Sequence, residues 1–528
     1  MNMSENPPDE DDSASRQSAV VDLCLPIGEE GPDHRRTRSS FRRDSQAALL
    51  DEGSPSETMT SIFEDNGKTK YRSAEEILAK FGYWNPRLLF IMFSMAMIWG
   101  ITAMPIMVAA FAVKGIECKD PTPECLAEKS RYYSIVQEFD LDNFWAESFF
   151  SSFFVGNMFF GTALAYFADV IGRKHVVVWS LFFTGVFGVF CALSHNFVIM
   201  LIFRILQGCL YTPTSMVNWV LASESVCFEA HGHASMVFGF FWVLGYCSIA
   251  LVAFIYPNWH YMVFISSLPS LLFSIIFFFT IPESFHFLVE KGKKKEISDW
   301  IKKAERPNKS INCDVDFLVL TVTEGNTLET RGGFMITFDF LIQNKRYIFY
   351  LIASTFMWIF DIMVYNGMSL FSTTLVGNPY WNFVLSGAIE IPAYLFSPFL
   401  MNRLGRRKTV FGTHIFTALC LLPLVFIDMD HKVLYVTFWL LGKLGTSVSF
   451  ISLFVYGSEI FPTQIKNTCM GVAALFGNIG GVLAYQTHEL TTIYFGLPMM
   501  IFSAFSFFGG LVILGFPETA THRNSVQI

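Results

Sequence analysis

A short hinge in an otherwise apolar part of the chain concentrates ionisable side chains. The stretch FADVIGRKH (167–175) holds Asp169, Arg173, Lys174 and His175 between two long apolar runs. Acidic and basic groups at this spacing can form ion pairs or cap helix ends. Basic residues alone could serve only to orient a chain in a membrane, but that role does not explain the acid. We therefore expect the acidic and basic groups of this hinge to form ion pairs in one conformation and to release them in another.

The hinge occurs a second time in the chain as MNRLGRRKT. The matched residues, each pair 233 positions apart, are Asp169 and Asn402, Gly172 and Gly405, and Arg173 and Arg406. Further pairs lie 235 positions apart: Glu224 and Glu459, His231 and Lys466, and the tripeptides PES (282–284) and PET (517–519). Independent motifs at one spacing indicate two homologous halves. Parallel halves of this kind are typical of membrane transporters, in which the substrate site lies between the halves near the middle of the membrane.

The elements that must position these residues are membrane helices. Of the 528 residues, 52% are hydrophobic and only 16% are charged, whereas a soluble chain would carry roughly a quarter charged residues. Apolar runs of about 20 residues can cross a bilayer, and inside lipid their backbone must form helices. We expect an all-α integral membrane protein with two six-helix halves. The twelve predicted spans lie near 88–111, 148–168, 175–194, 197–223, 236–256, 260–281, 347–376, 380–402, 409–427, 432–460, 467–488 and 493–516.

Basic residues near the ends of the spans predict the orientation. Lys and Arg follow predicted spans two, six, eight and ten, which places these loops and both termini in the cytoplasm. Near the first span, the spacing of Ser73 and Glu76 is that of a helix-capping box and favours a short helix against the inner face. The expected segments are a disordered cytoplasmic tail (1–72), an N-terminal half (73–281) with an extracellular loop (112–147), a cytoplasmic linker (282–345), a C-terminal half (346–516) and a short cytoplasmic tail (517–528).

The sequence contains no pattern typical of a metal, redox, catalytic or nucleic-acid-binding site. The ten cysteines form no CxxC pair, so neither a zinc site nor a redox motif is indicated, and we expect no metal and no cofactor. Cys118 and Cys125 share the predicted extracellular loop and are either a disulfide or two free thiols. There is no nucleophile–base set, so we expect no catalytic residues and no enzyme. The net charge of −8 lies largely in the tail and one loop, and we expect no nucleic-acid partner.

An ordered set of motifs resembles the organic cation, organic anion and carnitine transporter family of the major facilitator superfamily. The matching stretches run from about residue 73 to 520, and they are AEEILAKFG, SIVQEFDL, RILQG, PESFHFLVEKGKKKE, WIFDIMVYNGMSL, EIPAYLFSPFLMNRLGRRK and SEIFPTQIKNTCMGV. The resemblance implies the twelve-helix major facilitator fold and a carrier that moves a small organic ion by alternating access. It also implies a multi-pass protein of the plasma membrane, embedded in the lipid bilayer, of which one chain should suffice for transport.

Several positions depart from the pattern of that family. Val170 stands where the family hinge usually has Arg, Asn402 where it often has Asp, and His231 where Arg is usual. These departures remove charges from the predicted gate. His231 and the nearby His233 lead to the hypothesis that gating responds to pH, because histidine titrates near neutrality.

The resemblance also points to residues that would bind substrate. Asn478, in GNIGG, stands where cation transporters of the family tend to have an acid and anion transporters an arginine; it could instead hydrogen bond between helices. Asp361, Tyr365 and Glu390 match positions that line the central cavity of the family. Lys443 stands where a basic residue is common. Either acid could attract a cation or pair with Lys443, and cations or zwitterions are favoured over anions.

Aromatic residues within the spans are the other binding candidates. Trp219 is predicted to contribute, and Trp242, Tyr246 and Trp358 also lie within spans. Aromatic walls bind organic cations through the ring quadrupole and stack on flat anions. In a chain so rich in aromatic residues, however, most of these side chains only contact lipid or neighbouring helices.

The remaining charged positions are interpreted as a gate. The predicted gating residues are Asp169, Gly172, Arg173, Glu224, His231, Gly405, Arg406, Glu459 and Lys466, and Arg204 is interpreted as part of the gate or the scaffold. Two alternatives to an organic-ion carrier stay open. One is a facilitative porter of sugars or other neutral solutes, which the uncharged Asn478 allows but Asp361 in span seven opposes. The other is a non-transporting membrane sensor, which the loss of gate charges allows.

Overall fold

The computed structural model describes residues 64–519 apart from 66–67, 83, 114–122, 124–129, 227–230, 306–310, 330–339 and 428–430. The predicted disordered tail lies almost entirely outside the described residues, and so do Cys118 and Cys125. Within the described ranges the chain is predominantly helical, and a short ribbon of β1 (Glu64–Asp65) and β2 (Lys68–Thr69) precedes the helices.

In the part of the chain that the structure describes, twelve apolar helices correspond to the twelve predicted spans. Among the described residues, eleven of them are long and apolar enough to cross a membrane, and the last has 17 residues, about 26 Å at 1.5 Å per residue. The backbone helices of the fifth and eleventh begin earlier, at His231 and Thr463. The predicted all-α membrane class is confirmed. The helices are α1 (Pro86–Ala112), α2 (Trp145–Ile171), α3 (Arg173–Ala192), α4 (Phe197–Ser223), α5 (Ala234–Ile255), α6 (Trp259–Thr280), α7 (Lys345–Thr374), α8 (Pro379–Leu404), α9 (Arg406–Val425), α10 (Lys432–Ile460), α11 (Thr468–Thr492) and α12 (Leu497–Ile513).

A glycine with positive φ separates two helices at each predicted hinge. Gly172 (φ 118°) ends α2 and Gly405 (φ 90°) ends α8, a backbone region that glycine enters without steric cost. The next helix begins immediately, with Arg173 or Arg406. The ninth span therefore starts three residues before the predicted position 409, because the glycine corner and not the hydropathy sets its start.

The two halves repeat their internal packing. In the first half Gly245 of α5 faces the carbonyl oxygen of Gly100 on α1, and a Cβ at Gly245 would lie 1.9 Å from that oxygen. In the second half Gly480 of α11 faces the carbonyl oxygen of Ile359 on α7, at a corresponding 2.1 Å. Gly245 and Gly480 are 235 positions apart, which is the offset of the sequence repeat. Small residues at these points let the helix backbones approach closely.

The predicted helix before α1 is present and packs against the linker between the halves. Its N-cap Ser73 accepts a hydrogen bond from the Glu76 amide at 3.3 Å, while the Glu76 carboxylate accepts the amide of Arg72 rather than that of Ser73. The rings of Phe81 and Trp300 are 6.1 Å apart. We call the side of the bundle with these helices the linker face and the other side the opposite face. The helices concerned are Ala74–Phe81, Phe285–Glu290, Lys294–Ala304 and Val315–Glu329.

Candidate functional site

The charged corner of the first half is closed by contacts within that half. Arg173, at the start of α3, lies 3.2 Å from Asp169 and 3.2 Å from Glu224. The carboxylate of Glu283 accepts the next backbone amide after Arg173, at 2.9 Å, and the hydroxyl of Ser284 donates to Glu224. The PES tripeptide therefore caps α3 and holds the partner of Arg173.

The second half has the same corner. Arg406 lies 3.2 Å from Glu459, and its amide donates to Glu518 at 2.8 Å. Thr519 donates to Glu459 at 2.6 Å. The PET tripeptide thus does for Arg406 what PES does for Arg173. Among the described residues, the ion pairs of the first corner stay within the first half and the adjoining linker, where Arg173 also lies 4.0 Å from Glu290. Those of the second corner stay within the second half, and no ion pair of either corner joins the two halves.

Two other predicted gating positions have less defined surroundings. Lys466 lies in the first turns of the α11 helix on the linker face and is partly buried. The side chains of His231 and His233 lie outside the described residues, so the pH-gating hypothesis stays a prediction. Arg204 is fully buried in the first half, where it donates to the carbonyl of Pro105 and to Gln207, each at 2.6 Å.

Three of the predicted binding residues meet in the interior of the bundle. Nζ of Lys443, on α10, lies 3.1 Å from Oε1 of Glu390, on α8. Tyr365, on α7, donates its hydroxyl to Oε2 of Glu390 at 3.0 Å, and its ring centre lies 3.5 Å from the Lys443 ammonium. Lys443 also donates to Ser369 at 2.6 Å. All of these side chains are buried, so acid and base neutralise one another inside the protein.

A tryptophan of the first half is bonded to this cluster. Nε1 of Trp242, on α5, donates to the hydroxyl of Tyr365 at 2.9 Å. Tyr246, one turn further along α5, donates to the carbonyl of Ser369 at 3.3 Å. A chain of hydrogen bonds therefore runs from α5 through Tyr365 to Glu390 and crosses the interface between the halves.

Aromatic rings extend from this chain in both directions. In the first half the ring centres of Trp219, Phe238, Trp99 and Trp242 follow one another at 5.0, 5.7 and 6.2 Å. In the second half the sequence Tyr365, Phe450, Phe454 and Trp358 has spacings of 5.3, 5.3 and 4.5 Å. Trp219 thus stands at one end of the row. Nothing in the sequence distinguishes Trp99 or Phe238 from the many other aromatic residues of the chain.

Asp361 lies apart from Lys443, in a second buried polar cluster. Oγ of Ser449 is 3.2 and 3.3 Å from the two carboxylate oxygens of Asp361 and 2.9 Å from Nε2 of His414. The same imidazole nitrogen is 3.6 Å from Asp361, and both side chains are at most 3% exposed. Among the described residues, no Lys or Arg forms an ion pair with Asp361. The partner His414 was missed in the sequence because it lies in a different span, with no motif around it.

Asn478 links the two halves through a second asparagine. Nδ2 of Asn157, on α2, donates to Oδ1 of Asn478 at 2.8 Å, and Oδ1 of Asn157 accepts from the Thr212 hydroxyl at 2.6 Å. Nδ2 of Asn478 donates to two carbonyls of its own preceding turn. The segment Asn157–Gly161 is a π-helical turn within α2, a deformation that is frequent at functional sites. Asn157 was not predicted, although the sequence offers one signal for it: it follows a glycine within an apolar span, as Asn478 does in GNIGG.

The halves also contact each other near the opposite face. Tyr485, at the end of α11, donates to the carbonyl of Ala109 at 3.0 Å. Phe111 stacks on Tyr380 with ring centres 5.4 Å apart. These contacts join the ends of α1 and α11 and of α1 and α8, so the halves meet at this face.

The described residues form twelve apolar helices in two repeated halves, with charges and aromatic rings buried where the halves meet. These features define a membrane carrier. A model described as the Major Facilitator Superfamily matches residues 88–485. The chain belongs to that superfamily, and it is a multi-pass membrane protein of the transporter class.

Similar proteins agree with the family predicted from the motifs. A Caenorhabditis elegans protein named as a candidate transporter is 32% identical over 459 residues, which are 86% of this chain and 90% of that protein. The organic cation transporter protein of Drosophila melanogaster is 31% identical over 69% of this chain and 66% of its own length. Human solute carrier family 22 member 2 is 27% identical over 73% and 69%, respectively.

Solved structures share the fold. The xylose transporter XylE from E. coli in its inward-open conformation matches with a TM-score of 0.61 at 14% identity, over 83% of this chain and 99% of that chain. A partially occluded inward-open structure of XylE matches with a TM-score of 0.62 at 16% identity, over 82% and 98%. The predicted twelve-helix major facilitator fold is confirmed.

Proposed function

We propose that this protein carries small organic cations, or zwitterions with a cationic group, across a membrane by alternating access. The observation that carries the proposal is the balance of charge in the interior of the second half. Glu390 is neutralised by Lys443. Among the described residues, the polar side chains beside Asp361 are the hydroxyl of Ser449 and the imidazole of His414. An ionisable group inside a membrane protein is costly and is a functional candidate by default. A cationic substrate would supply the missing positive charge.

The aromatic row supports the same substrate class. The Lys443 ammonium lies over the ring of Tyr365, so this ring already has one cation as a neighbour. The attraction between an organic cation and the face of an aromatic ring reaches about 2 kcal/mol when water is excluded. We therefore assign substrate contacts to Asp361 and Tyr365 first and to Glu390 second, because Lys443 already neutralises Glu390. The relatives named organic cation transporters favour this assignment over an anion carrier.

For Asn478 and Trp219 we propose more distant roles. The amide of Asn478 is engaged by Asn157 and by its own helix, so we infer that it joins the halves in this conformation and becomes available when they separate. Trp219 extends the aromatic row and would line the path of the substrate toward the linker face.

We further propose that both termini and the linker are cytoplasmic, in the plasma membrane, and that a single chain is the transport unit. The linker stretch KGKKKE (291–296) holds four lysines next to a span, and such residues mark cytoplasmic loops. The corners at Arg173 and Arg406 then lie on the cytoplasmic side and stiffen the helix ends that form the gate. They hold the hairpins of each half rigid while the halves rock.

Uptake into proteoliposomes tests the substrate class. The purified protein is offered four labelled probes: a quaternary ammonium ion, an aromatic carboxylate, a betaine-type zwitterion and a hexose. We expect uptake of the ammonium ion or the zwitterion above that of protein-free liposomes. Uptake of the carboxylate alone would contradict the proposal. Uptake of the hexose alone would indicate a neutral-solute porter, and correctly inserted protein that transports none of the probes would favour a sensor.

A further inference from the structure

Three side chains with metal-binding atoms converge on the opposite face of the first half. Glu138 lies in the short helix Ile135–Phe139, His195 between α3 and α4, and His260 at the start of α6. Nδ1 of His195 is 3.4 Å from Oε1 of Glu138, and Nε2 of His260 is 2.7 Å from Oε2. One ligand atom from each residue lies within 4.8 Å of the other two.

The polar contacts of His260 favour a cation at this point. Its Nδ1 is 2.5 Å from the carbonyl oxygen of Ala192, and because a carbonyl can only accept, Nδ1 carries a hydrogen. Nε2 of a neutral imidazole is then a lone pair. It faces a carboxylate oxygen of Glu138 at 2.7 Å, and two lone pairs do not approach so closely. A proton on Nε2, or a metal ion bound by both groups, would relieve this contact.

The surroundings hold two of the three ligands in place. Nε1 of the buried Trp259 donates to Oε2 of Glu138 at 2.6 Å, and the Trp259 ring stacks on His260 at 3.9 Å. A histidine that binds a metal through one nitrogen commonly donates its other N–H to a backbone carbonyl, as His260 does to Ala192. His195 is 82% exposed and is free to adjust its ring to an incoming ion.

We propose that Glu138, His195 and His260 form a binding site for Zn²⁺. Two imidazoles and a carboxylate are a ligand set that zinc takes with water in the fourth position. Bonds of about 2.0–2.2 Å in a tetrahedron put ligand atoms roughly 3.3 Å apart. The 3.4 Å between His195 and Glu138 is close to this separation, and the 2.7 Å between His260 and Glu138 would lengthen when an ion binds. Convergence of a second imidazole on the same carboxylate favours the metal over a proton alone.

The site lies within one half. A bound ion would connect the helix before α2 to the start of α4 and the start of α6, and it would not tie the first half to the second. Zinc should thus stabilise the first half without locking the carrier. In the orientation proposed above, the site faces the extracellular solution.

Zinc titration of the full-length protein in detergent tests the proposal. The metal-stripped protein competes with a chromophoric chelator for Zn²⁺, and thermal unfolding is followed with and without Zn²⁺. We expect His195→Ala to weaken one zinc site at least ~10-fold and to remove the zinc-dependent rise in unfolding temperature that binding to the native state produces. His195 is so exposed that its removal should leave the fold intact.

His431 provides the matched control. It is an exposed histidine immediately before α10, also on the opposite face, and His431→Ala should bind zinc as the wild type does. The proposal is overturned if wild type and His195→Ala give the same titration and the same unfolding shift, or if wild type binds no zinc. An equal loss in the His431→Ala protein would also overturn it, because it would assign the zinc to exposed histidines in general.

Discussion

Glu390 and Lys443 are charged groups in surroundings that solvate charge poorly, and each depends on the other. Their side chains are 1% and 0% exposed. Taking either ion out of water costs several kcal/mol, which a direct contact and further hydrogen bonds must offset. Tyr365 and Ser369 supply those bonds. Glu390 and Lys443 therefore form a buried ion pair that has no net charge and is held in place by Tyr365 and Ser369.

Removal of one partner should therefore be more harmful than removal of both. Glu390→Gln leaves the Lys443 ammonium buried without a counter-charge, and we expect a loss of about 3–5 kcal/mol in unfolding free energy. The double variant Glu390→Gln with Lys443→Met should recover most of that loss. Thermal unfolding in detergent, followed by fluorescence, measures both.

The exposed pair of Lys293 and Glu296 serves as the control for this comparison. Its side chains are about half exposed, so Glu296→Gln should change stability by less than about 1 kcal/mol. If the Glu390→Gln protein unfolded at the wild-type temperature, Glu390 would not stabilise the buried charge of Lys443, and this prediction would be wrong.

The sequence predicts which single residues are candidates for the site better than it predicts the partner of each one. Glu390, Lys443, Tyr365 and Asp361 were all candidates, but whether Lys443 would pair with Asp361 or Glu390 was open. The answer depends on how α7, α8 and α10 are rotated about their axes, and hydropathy carries little information on rotation when a helix is apolar on all sides. Asn157 was missed for the same reason.

At each of the two glycine hinges, the backbone conformation of the glycine sets where one helix ends and the next begins. At Gly172 the backbone has φ 118° and ψ 147°, and a Cβ would lie 2.3 Å from the carboxylate of Glu283. That carboxylate caps α3. The glycine thus allows the turn and also leaves room for the cap.

Gly172→Ala should impair this corner in both ways. We expect backbone strain of about 1–3 kcal/mol together with displacement of Glu283, and hence a lower unfolding temperature and slower transport. Gly82→Ala is the matched control, because Gly82 has a similar backbone (φ 72°, ψ 169°) with nothing within 4 Å of its Cβ position. Equal losses in the two variants would show that the contact with Glu283 contributes nothing.

Most of the element pattern follows from the sequence. All twelve spans and the helix after Ser73 were predicted, because length and apolar composition decide whether a segment can cross a membrane. The start of α9 and the π-helical turn at Asn157 were not. Hydropathy averages over many residues and does not register a single positive φ or one extra residue in a turn.

The molecule as a whole is two repeated halves with different contacts at its two faces. Near the opposite face the halves touch through contacts such as Tyr485 with Ala109, whereas the charged corners at the linker face pair within each half. The sequence repeat predicted the halves. It did not predict which face would be joined, because that depends on the relative position of two rigid bodies, and every conformation of a carrier has the same sequence.

We propose that Asp361 supplies, when ionised, the negative charge for which a cationic substrate is selected. Potential-driven uptake of a labelled quaternary ammonium ion into proteoliposomes, compared between wild type and Asp361→Asn, tests it most directly. Asparagine keeps the shape of the side chain and a hydrogen bond to Ser449 but removes the charge. We expect an inside-negative potential to accelerate uptake by the wild type, and uptake by the correctly folded variant to fall at least ~10-fold, the equivalent of about 1.4 kcal/mol. Unchanged potential-driven uptake by Asp361→Asn would contradict the account.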